Sequence, residues 1–238
     1  MSSSYTTVPA SVRLRVWDLP TRVFHWLLVL MVMGLILSGH QGGEWMPWHA
    51  RLGYGVLTLL LFRLVWGVVG GYHSRFVHFL PSVTALRAAL SSARQGRHTP
   101  SIGHNPLGAL SVVVMLVVLS LQVATGLISD DEIAFSGPLS AQVSTAWVSV
   151  ATWYHKDVGQ RLLMALLVLH VLAMVYYRVR HRESLVTAMV LGDKTLSHQP
   201  AVAPQASRDG WRERLMALLV LGLCAGLVVS LVQSVGNA

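Results

Sequence analysis

Four histidines lie within, or at the edge of, long apolar stretches of the chain: His25, His49, His155 and His170. His170 stands in the run LLMALLVLHVLAMVYY, in which no residue carries a formal charge. An ionisable side chain is expensive to hold in lipid, so within a membrane helix it usually serves a function such as metal ligation or proton transfer. The spacing of the four imidazoles therefore indicates which chemistry the chain can perform.

The spacing places these imidazoles at two depths. His155 and His170 are 170 − 155 = 15 residues apart on one apolar segment. A helix rises about 1.5 Å per residue, so the two rings are roughly 22 Å apart along its axis. His49 is predicted at the depth of His155, and His25 at the depth of His170. Two such pairs match the requirement of haem iron for one neutral imidazole on each face of the porphyrin.

Each histidine also has a purely structural interpretation, as a hydrogen-bonded core residue or as a residue of the membrane interface. The occurrence of all four at two matched depths favours ligation over four independent structural roles. Zinc is matched less well, because two histidines at each depth leave a tetrahedral site short of ligands. His40 is a rival to His49, but its glycine-rich surroundings, SGHQGGEW, are less suitable for a fixed ligand.

Five apolar segments must position these side chains. They lie at 23–38, 54–69, 107–129, 162–177 and 215–232. With their flanks they reach the length of about 20 residues that crosses a bilayer. Of the 238 residues, 53% are hydrophobic and 12% are charged, which excludes a disordered chain and disfavours a water-soluble globule. The predicted fold is all-α, an integral membrane helical bundle with a four-helix haem-binding core plus a fifth C-terminal transmembrane helix. The single Cys224 excludes an internal disulfide and a C-x-x-C-H haem attachment.

Basic residues divide unevenly between the two sides of such a bundle. The N-terminal segment, the loops 71–106 and 178–214, and Arg63 hold 15 of the 18 lysines and arginines. Since cytoplasmic loops carry the excess of positive charge, the N-terminus is predicted in the cytoplasm and the C-terminus in the periplasm of a bacterial inner membrane. The net charge of +8 indicates membrane lipid, and no nucleic acid, as a partner. Residues 82–94 predict an amphipathic helix, which lies on the inner leaflet or is a plain connector.

Three further residues are candidates for cofactor binding. Arg63 lies inside the second apolar segment, where a buried guanidinium needs an anion such as a haem propionate; snorkelling to lipid phosphate is the alternative. Arg51 is a similar candidate on the periplasmic side. His104, in the motif GHNPLG, is suited to orient a propionate or a quinone carbonyl, although entry into a helix at Pro106 explains this motif equally well.

Four motifs cover most of residues 12–194: VWDLPTRVFHWLL, WHARLGYGVLTLLLFRLVWGVVG, GHNPLG and YHKDVGQRLLMALLVLHVLAMVYYRVRHRESLVTAMVLGDK. In these motifs the chain resembles the bacterial di-haem cytochrome b family, which includes cytochrome b-561-type proteins and the b-type cytochrome subunit of nickel–iron hydrogenases. The resemblance implies four core helices, two non-covalent b haems ligated by the four histidines, electron passage across the membrane and a quinone site near one haem.

The resemblance and the apolar segments together predict the organisation of the chain. Residues 1–21 form a cytoplasmic segment, 22–194 a four-helix di-haem cytochrome b domain, 195–210 a flexible linker and 211–238 an additional transmembrane helix. The last helix departs from the family pattern. It contains a G-x-x-x-G pair, Gly222 and Gly226, whose spacing suits close helix packing and a homodimer.

The predicted function is electron transfer between a periplasmic redox partner, either cytochrome c or hydrogenase-like, and the quinone pool. The predicted cofactors are two haem b groups with bis-histidine iron, and the substrate is a quinone. An acidic patch at 130–132 suits the docking of a basic cytochrome c, although charges that keep this loop out of the membrane explain it equally well. Two alternatives stay open: a self-sufficient quinone-linked oxidoreductase that handles superoxide or another small oxidant, and a haem-free transporter or assembly subunit with proton-relay histidines.

Overall fold

The computed structural model describes residues 12–97, 101–133, 135–196 and 204–236. Within these residues, five helices are long and apolar enough to cross a membrane. They span Leu19–Gln41, Gly43–Val69, Pro106–Ile128, Thr145–Arg180 and Trp211–Ser234. The five predicted spans and the all-α bundle are therefore confirmed. Most of the helices extend beyond the apolar run that indicated them, because polar and interfacial residues continue the same helices at their ends.

The elements in chain order are β1 (Val12–Arg15), α1 (Leu19–Gln41), α2 (Met46–Val69), α3 (Phe76–Phe79), α4 (Val83–Arg94), α5 (Pro106–Ile128), α6 (Thr145–Trp153), a π-helical turn (Tyr154–Gly159), α7 (Gln160–Arg180), α8 (Leu185–Leu191), β2 (Asp193–Leu196) and α9 (Trp211–Gly236). Short 3-10 turns lie at Gly43–Trp45, Tyr72–Ser74 and Ser140–Gln142. The helix predicted at 82–94 is α4. The segment α6, π turn and α7 is one continuous span of 36 residues.

Four of the long helices pack side by side in the order α1, α2, α5, α7. A buried apolar cluster joins the first three of them, with α7 packed at its margin: Val32, Val56, Leu60, Leu119 and Val123. Within the described ranges, α1 and α7 show no comparable backbone packing against each other. The row of helices is therefore open between α1 and α7, and side chains must fill or bridge that gap.

One end of the bundle, called the sheet end from here on, carries β1 and β2 paired antiparallel, with Arg15 opposite Asp193. The opposite end, called the loop end, carries the α1–α2 turn and the α5–α6 connection. The sequence analysis predicted neither strand, because two four-residue strands have no apolar alternation long enough to detect.

A buried carboxylate ties the helices together at the sheet end. Asp18 is fully buried and caps α1 by accepting a hydrogen bond from Thr21 N. The same carboxylate accepts hydrogen bonds from Trp66 Nε1, Gly71 N and Ser74 Oγ. Because these donors lie near or beyond the C-terminal end of α2, one anion fixes the start of α1 against the end of α2.

The predicted linker, 195–210, is in part a structured segment. Residues 197–203 lie outside the described residues. Beyond them, Ser207 Oγ donates a hydrogen bond of 2.6 Å to the carbonyl of Val16. The carboxylate of Asp209 accepts a hydrogen bond of 3.0 Å from Leu19 N and pairs with Arg15. Residues 204–210 are therefore attached to the sheet end and direct the chain into α9.

The fifth helix packs against α2 and α1. Ala217 and Cys224 are buried in the same cluster as Phe24, Leu59, Phe62 and Trp66. Gly222 and Gly226 lie on the exposed surface of α9, where an added Cβ would meet nothing within 4 Å. The glycine pair and the cysteine thus occupy different faces, so disulfide crosslinking through Cys224 is a poor test of a dimer formed by these glycines.

Candidate functional site

The structure brings His49 and His155 together near the loop end. Their ring centroids are 6.1 Å apart and their planes meet at 86°. Nδ1 of His49 lies 3.0 Å from the carbonyl oxygen of Leu35, and Nδ1 of His155 lies 2.8 Å from that of Gln122. A carbonyl oxygen only accepts, so each Nδ1 carries the proton and each Nε2 keeps a free lone pair.

Two glycines make room for these rings. A Cβ added at Gly39 would lie 3.1 Å from Cε1 of His49, and one added at Gly126 would lie 2.7 Å from Cε1 of His155. Beside the two rings is a cavity of about 380 Å³ that both histidines line. This volume falls in the range of about 300–1,000 Å³ that is typical of cofactor and ligand sites.

The structure brings His25 and His170 together on the sheet-end side, across the gap between α1 and α7. Their ring centroids are 6.5 Å apart and their planes meet at 50°. Nδ1 of His25 is buried and has no hydrogen-bond partner among the residues that the structure describes. A buried ring nitrogen without a partner is uncommon, and a missing ligand is one explanation.

Both spacings fit a metal ion held between two imidazoles. A bond of about 2 Å on each side, plus roughly 1.1 Å from each nitrogen to its ring centre, gives a separation of about 6.2 Å between the centroids. The part of the chain that the structure describes contains no group of three or more His, Cys, Asp or Glu residues placed to hold a metal. Two protein ligands at each level therefore fit a planar macrocycle, which supplies the remaining ligands itself.

Arg63 is buried and His104 is half-buried near the sheet end, and each has a buried nitrogen without a hydrogen-bond partner among the described residues. The guanidinium of Arg63 lies 4.7 Å from the ring centre of Phe76, and its Nη1 has no hydrogen-bond partner. The ring of His104 packs between Trp17 and Phe79, and its Nδ1 is buried without a partner. Burial, with a smaller contribution from the positive charge of Arg63, lowers the pKa of His104 to about 3. The two predicted binding residues thus present unpaired polar atoms in one buried region.

Arg51 and His40 lie elsewhere. Arg51 is exposed, and its guanidinium lies 4.9 Å from the ring centre of Trp48. It is not among the described residues that line the cavity. His40 is exposed at the end of α1. Lys156, which the sequence analysis did not single out, lines the cavity instead. Its ammonium group is therefore better placed than the guanidinium of Arg51 to bind an anion there.

The sequence analysis missed the residues that orient the imidazoles. Ser38 Oγ lies 3.2 Å from Nδ1 of His49, and Gln122 both accepts from the ring of His155 and donates to its backbone carbonyl. A signal for Gln122 was present, since it is an isolated amide in the apolar run VVVMLVVLSLQVATG. The contribution of the Leu35 carbonyl had no signal, because a backbone group can accept at any residue.

A helical membrane bundle that holds imidazoles in pairs at two levels defines a class of protein, the membrane cytochromes of b type. The chain belongs to the prokaryotic cytochrome b561 family, whose model matches residues 16–192. It is therefore a b-type cytochrome that crosses the inner membrane several times and functions in electron transfer. Membership of the family implies haem b as the cofactor. The resemblance seen in the sequence motifs is confirmed.

Curated relatives carry related names. The chain is 26% identical over 216 residues to a "Probable Ni/Fe-hydrogenase B-type cytochrome subunit" of Cupriavidus necator, with 76% of this chain and 86% of the relative covered. It is 22% identical over 211 residues to the protein of the same name from Bradyrhizobium diazoefficiens, with 75% and 85% covered. A third relative, from Escherichia coli, is 25% identical over 137 residues and covers 47% of this chain and 57% of the relative. No solved structure matches the chain significantly.

Proposed function

We propose that the chain is a di-haem cytochrome that carries electrons across the membrane, with His49 and His155 as axial ligands of one haem and His25 and His170 as those of the other. The observation that carries the proposal is the spacing of 6.1 and 6.5 Å between the paired ring centroids. The surplus of basic residues at the sheet end supports a cytoplasmic position for that end. The loop end then faces the periplasm.

The surrounding residues prepare the rings for this role. Haem b supplies the reversible one-electron change when it is bound. The carbonyls of Leu35 and Gln122 hold the Nδ1 protons of the loop-end rings, which leaves Nε2 as the ligating nitrogen and raises its basicity. Arg63 and His104 would bind the propionates of the sheet-end haem, since each has a buried nitrogen without a partner.

The partners that we propose are a periplasmic redox protein, either a hydrogenase-like subunit or a cytochrome c, and a quinone in the membrane. The names of the curated relatives support the first of these. The loop end also offers a docking surface, because Trp45, Trp48, Trp147 and Ile133 are all more than half exposed there, close to the acidic residues 130–132. Aromatic side chains beside charged groups are frequent in protein interfaces.

The test is a pyridine haemochrome assay on the purified protein and on four single alanine variants. We expect about two haems per chain in the wild type and about one in each of His25→Ala, His49→Ala, His155→Ala and His170→Ala. His40→Ala is the matched control, because this exposed histidine should be dispensable for both haems.

Redox titration of the same variants tests the pairing. His49→Ala and His155→Ala should lose the same component, while His25→Ala and His170→Ala should lose the other. A colourless wild-type protein would overturn the proposal in favour of a haem-free transporter or assembly subunit. Turnover of a quinone with superoxide, without any protein partner, would favour the self-sufficient oxidoreductase.

A further inference from the structure

The backbone around His155 departs from α-helical geometry. Residues Tyr154–Gly159 form a π-helical turn between α6 and α7. Such a turn accommodates one extra residue, which rotates the preceding part of the helix by about 100° relative to the following part. The direction in which His155 points therefore depends on this turn as well as on its place in the sequence.

A single residue of the neighbouring helix contacts the turn at two points. The side-chain amide of Gln122 donates a hydrogen bond of 2.9 Å from Nε2 to the backbone carbonyl of His155. In the other direction, the backbone carbonyl of Gln122 accepts the Nδ1 proton of the His155 ring at 2.8 Å. The main chain and the ring of His155 are thus both held by one position on α5.

Gly159 provides the space for this contact. A Cβ added there would lie 2.0 Å from Oε1 of Gln122 and 2.7 Å from Cε1 of Tyr154. Within the described part of the chain, the amide oxygen of Gln122 is buried and has no hydrogen-bond partner. Keeping a half-satisfied amide inside a membrane helix is unfavourable, so a position that retains one is expected to serve a purpose beyond packing.

We propose that Gln122 is a positioning residue for His155, and that its side-chain amide holds the π turn so that the ring meets His49 nearly at right angles. This inference rests on the proposed role of His49 and His155 as a ligand pair. The angle of 86° between the ring planes, against 50° in the other pair, is the feature that Gln122 maintains. Groups that orient an axial histidine influence the redox potential of the haem it binds.

The experiment compares Gln122→Leu with Gln233→Leu in the full-length protein loaded with haem. Gln233 lies on α9 and is exposed, so its variant controls for the loss of an amide from a membrane helix. We expect Gln122→Leu to keep both haems, to shift the midpoint potential of the haem that His155→Ala removes, and to change the low-spin ferric EPR signal of that haem alone. The control should leave both potentials and both signals unchanged.

Gly159→Ala is a second variant that leaves the amide in the chain but displaces it. It should shift the same potential and the same EPR signal in the direction seen for Gln122→Leu. Unchanged potentials and spectra in Gln122→Leu, or loss of both haems together, would overturn it. Failure of the ligand assignment is recognised separately, because His155→Ala would then retain both haems.

Discussion

The two histidine pairs are held in different ways. At the loop end both rings donate Nδ1 protons to backbone carbonyls, those of Leu35 and Gln122, and both rest against glycines. At the sheet end Nδ1 of His25 has no partner, and His25 faces His170 across helices that do not pack closely there. Backbone geometry thus fixes the loop-end pair, whereas the sheet-end pair depends on the structure that closes that end of the bundle.

This difference indicates which substitutions should weaken the binding of each proposed haem. A ring held by main-chain carbonyls changes only when the helices themselves move, or when a new side chain enters its space. A ring that lacks such bonds depends on distant residues such as Asp18, which joins α1 to the end of α2. Substitutions at the two ends should therefore act selectively on one haem.

The largest selective effect is expected from a side chain placed beside the loop-end pair. A Cβ at position 126 would already lie 2.7 Å from the ring of His155, so Gly126→Leu must displace that ring. We expect the variant to retain about one haem per chain, with the potential of the sheet-end haem preserved. Gly222→Leu is the matched control, since position 222 faces open space. Two normal haems in Gly126→Leu would show that this glycine is not part of the site.

The next effect should appear at the sheet end. Asp18→Ala leaves Trp66 Nε1, Gly71 N and Ser74 Oγ without their buried acceptor. We expect a loss of about 3–5 kcal/mol, which corresponds to a decrease of roughly 10 °C in the melting temperature in detergent. Absorbance recorded during melting should show the sheet-end haem released first.

Asp157→Ala is the control for this prediction. Asp157 makes an exposed ion pair with Arg161, so its removal should change stability by less than about 1 kcal/mol. The comparison between the two ends would fail if Asp18→Ala released both haems in one step at an unchanged temperature.

A smaller effect follows from the titration of His104. In the haem-free protein, burial, and then the charges of Arg63 and His73, lower its pKa to about 3 in the folded state, against an ordinary value of 6.5. The unfolded chain therefore binds a proton below pH 6.5 that the folded chain does not, and stability should decline as the pH falls from 6.5 towards 3. The slope due to this group approaches about 1.4 kcal/mol per pH unit.

His104→Gln removes this titration. Melting temperatures of the haem-free proteins, measured between pH 7 and pH 5, should fall less steeply for the variant than for the wild type, whatever its stability at pH 7. Equal slopes for His104→Gln and the wild type would show that this ring is not held neutral by burial.

The sequence was sufficient for those parts of the molecule that repeat a simple physical pattern. Five apolar segments predict five helices, and the 15 residues between His155 and His170 separate their depths by about four turns. The two short strands, the attachment of Asp209 and the π turn were not predictable in this way. Each of them depends on contacts between residues far apart in the chain, such as Arg15 with Asp193 and Gln122 with His155.

The smallest effect should come from the hydroxyl beside His49. Ser38 Oγ donates a hydrogen bond to the carbonyl of Gly34. The Nδ1 proton of His49 is shared by two acceptors, Ser38 Oγ at 3.2 Å and the carbonyl oxygen of Leu35 at 3.0 Å. Ser38→Ala removes the weaker acceptor only, so the tautomer of His49 should persist. The midpoint potential of the loop-end haem should then shift by less than roughly 40 mV, which is equivalent to about 1 kcal/mol for one electron.

Ser149→Ala is the control for Ser38→Ala, because the hydroxyl of Ser149 also donates to a helix carbonyl, that of Thr145, but lies on the exposed surface of α6. Its redox titration should match that of the wild type. A shift well above roughly 40 mV in Ser38→Ala would contradict the view that backbone acceptors dominate at the loop end. In that case the His49 ring would depend on a side chain, and the contrast between the two pairs would lie in the number of hydrogen bonds instead of their origin.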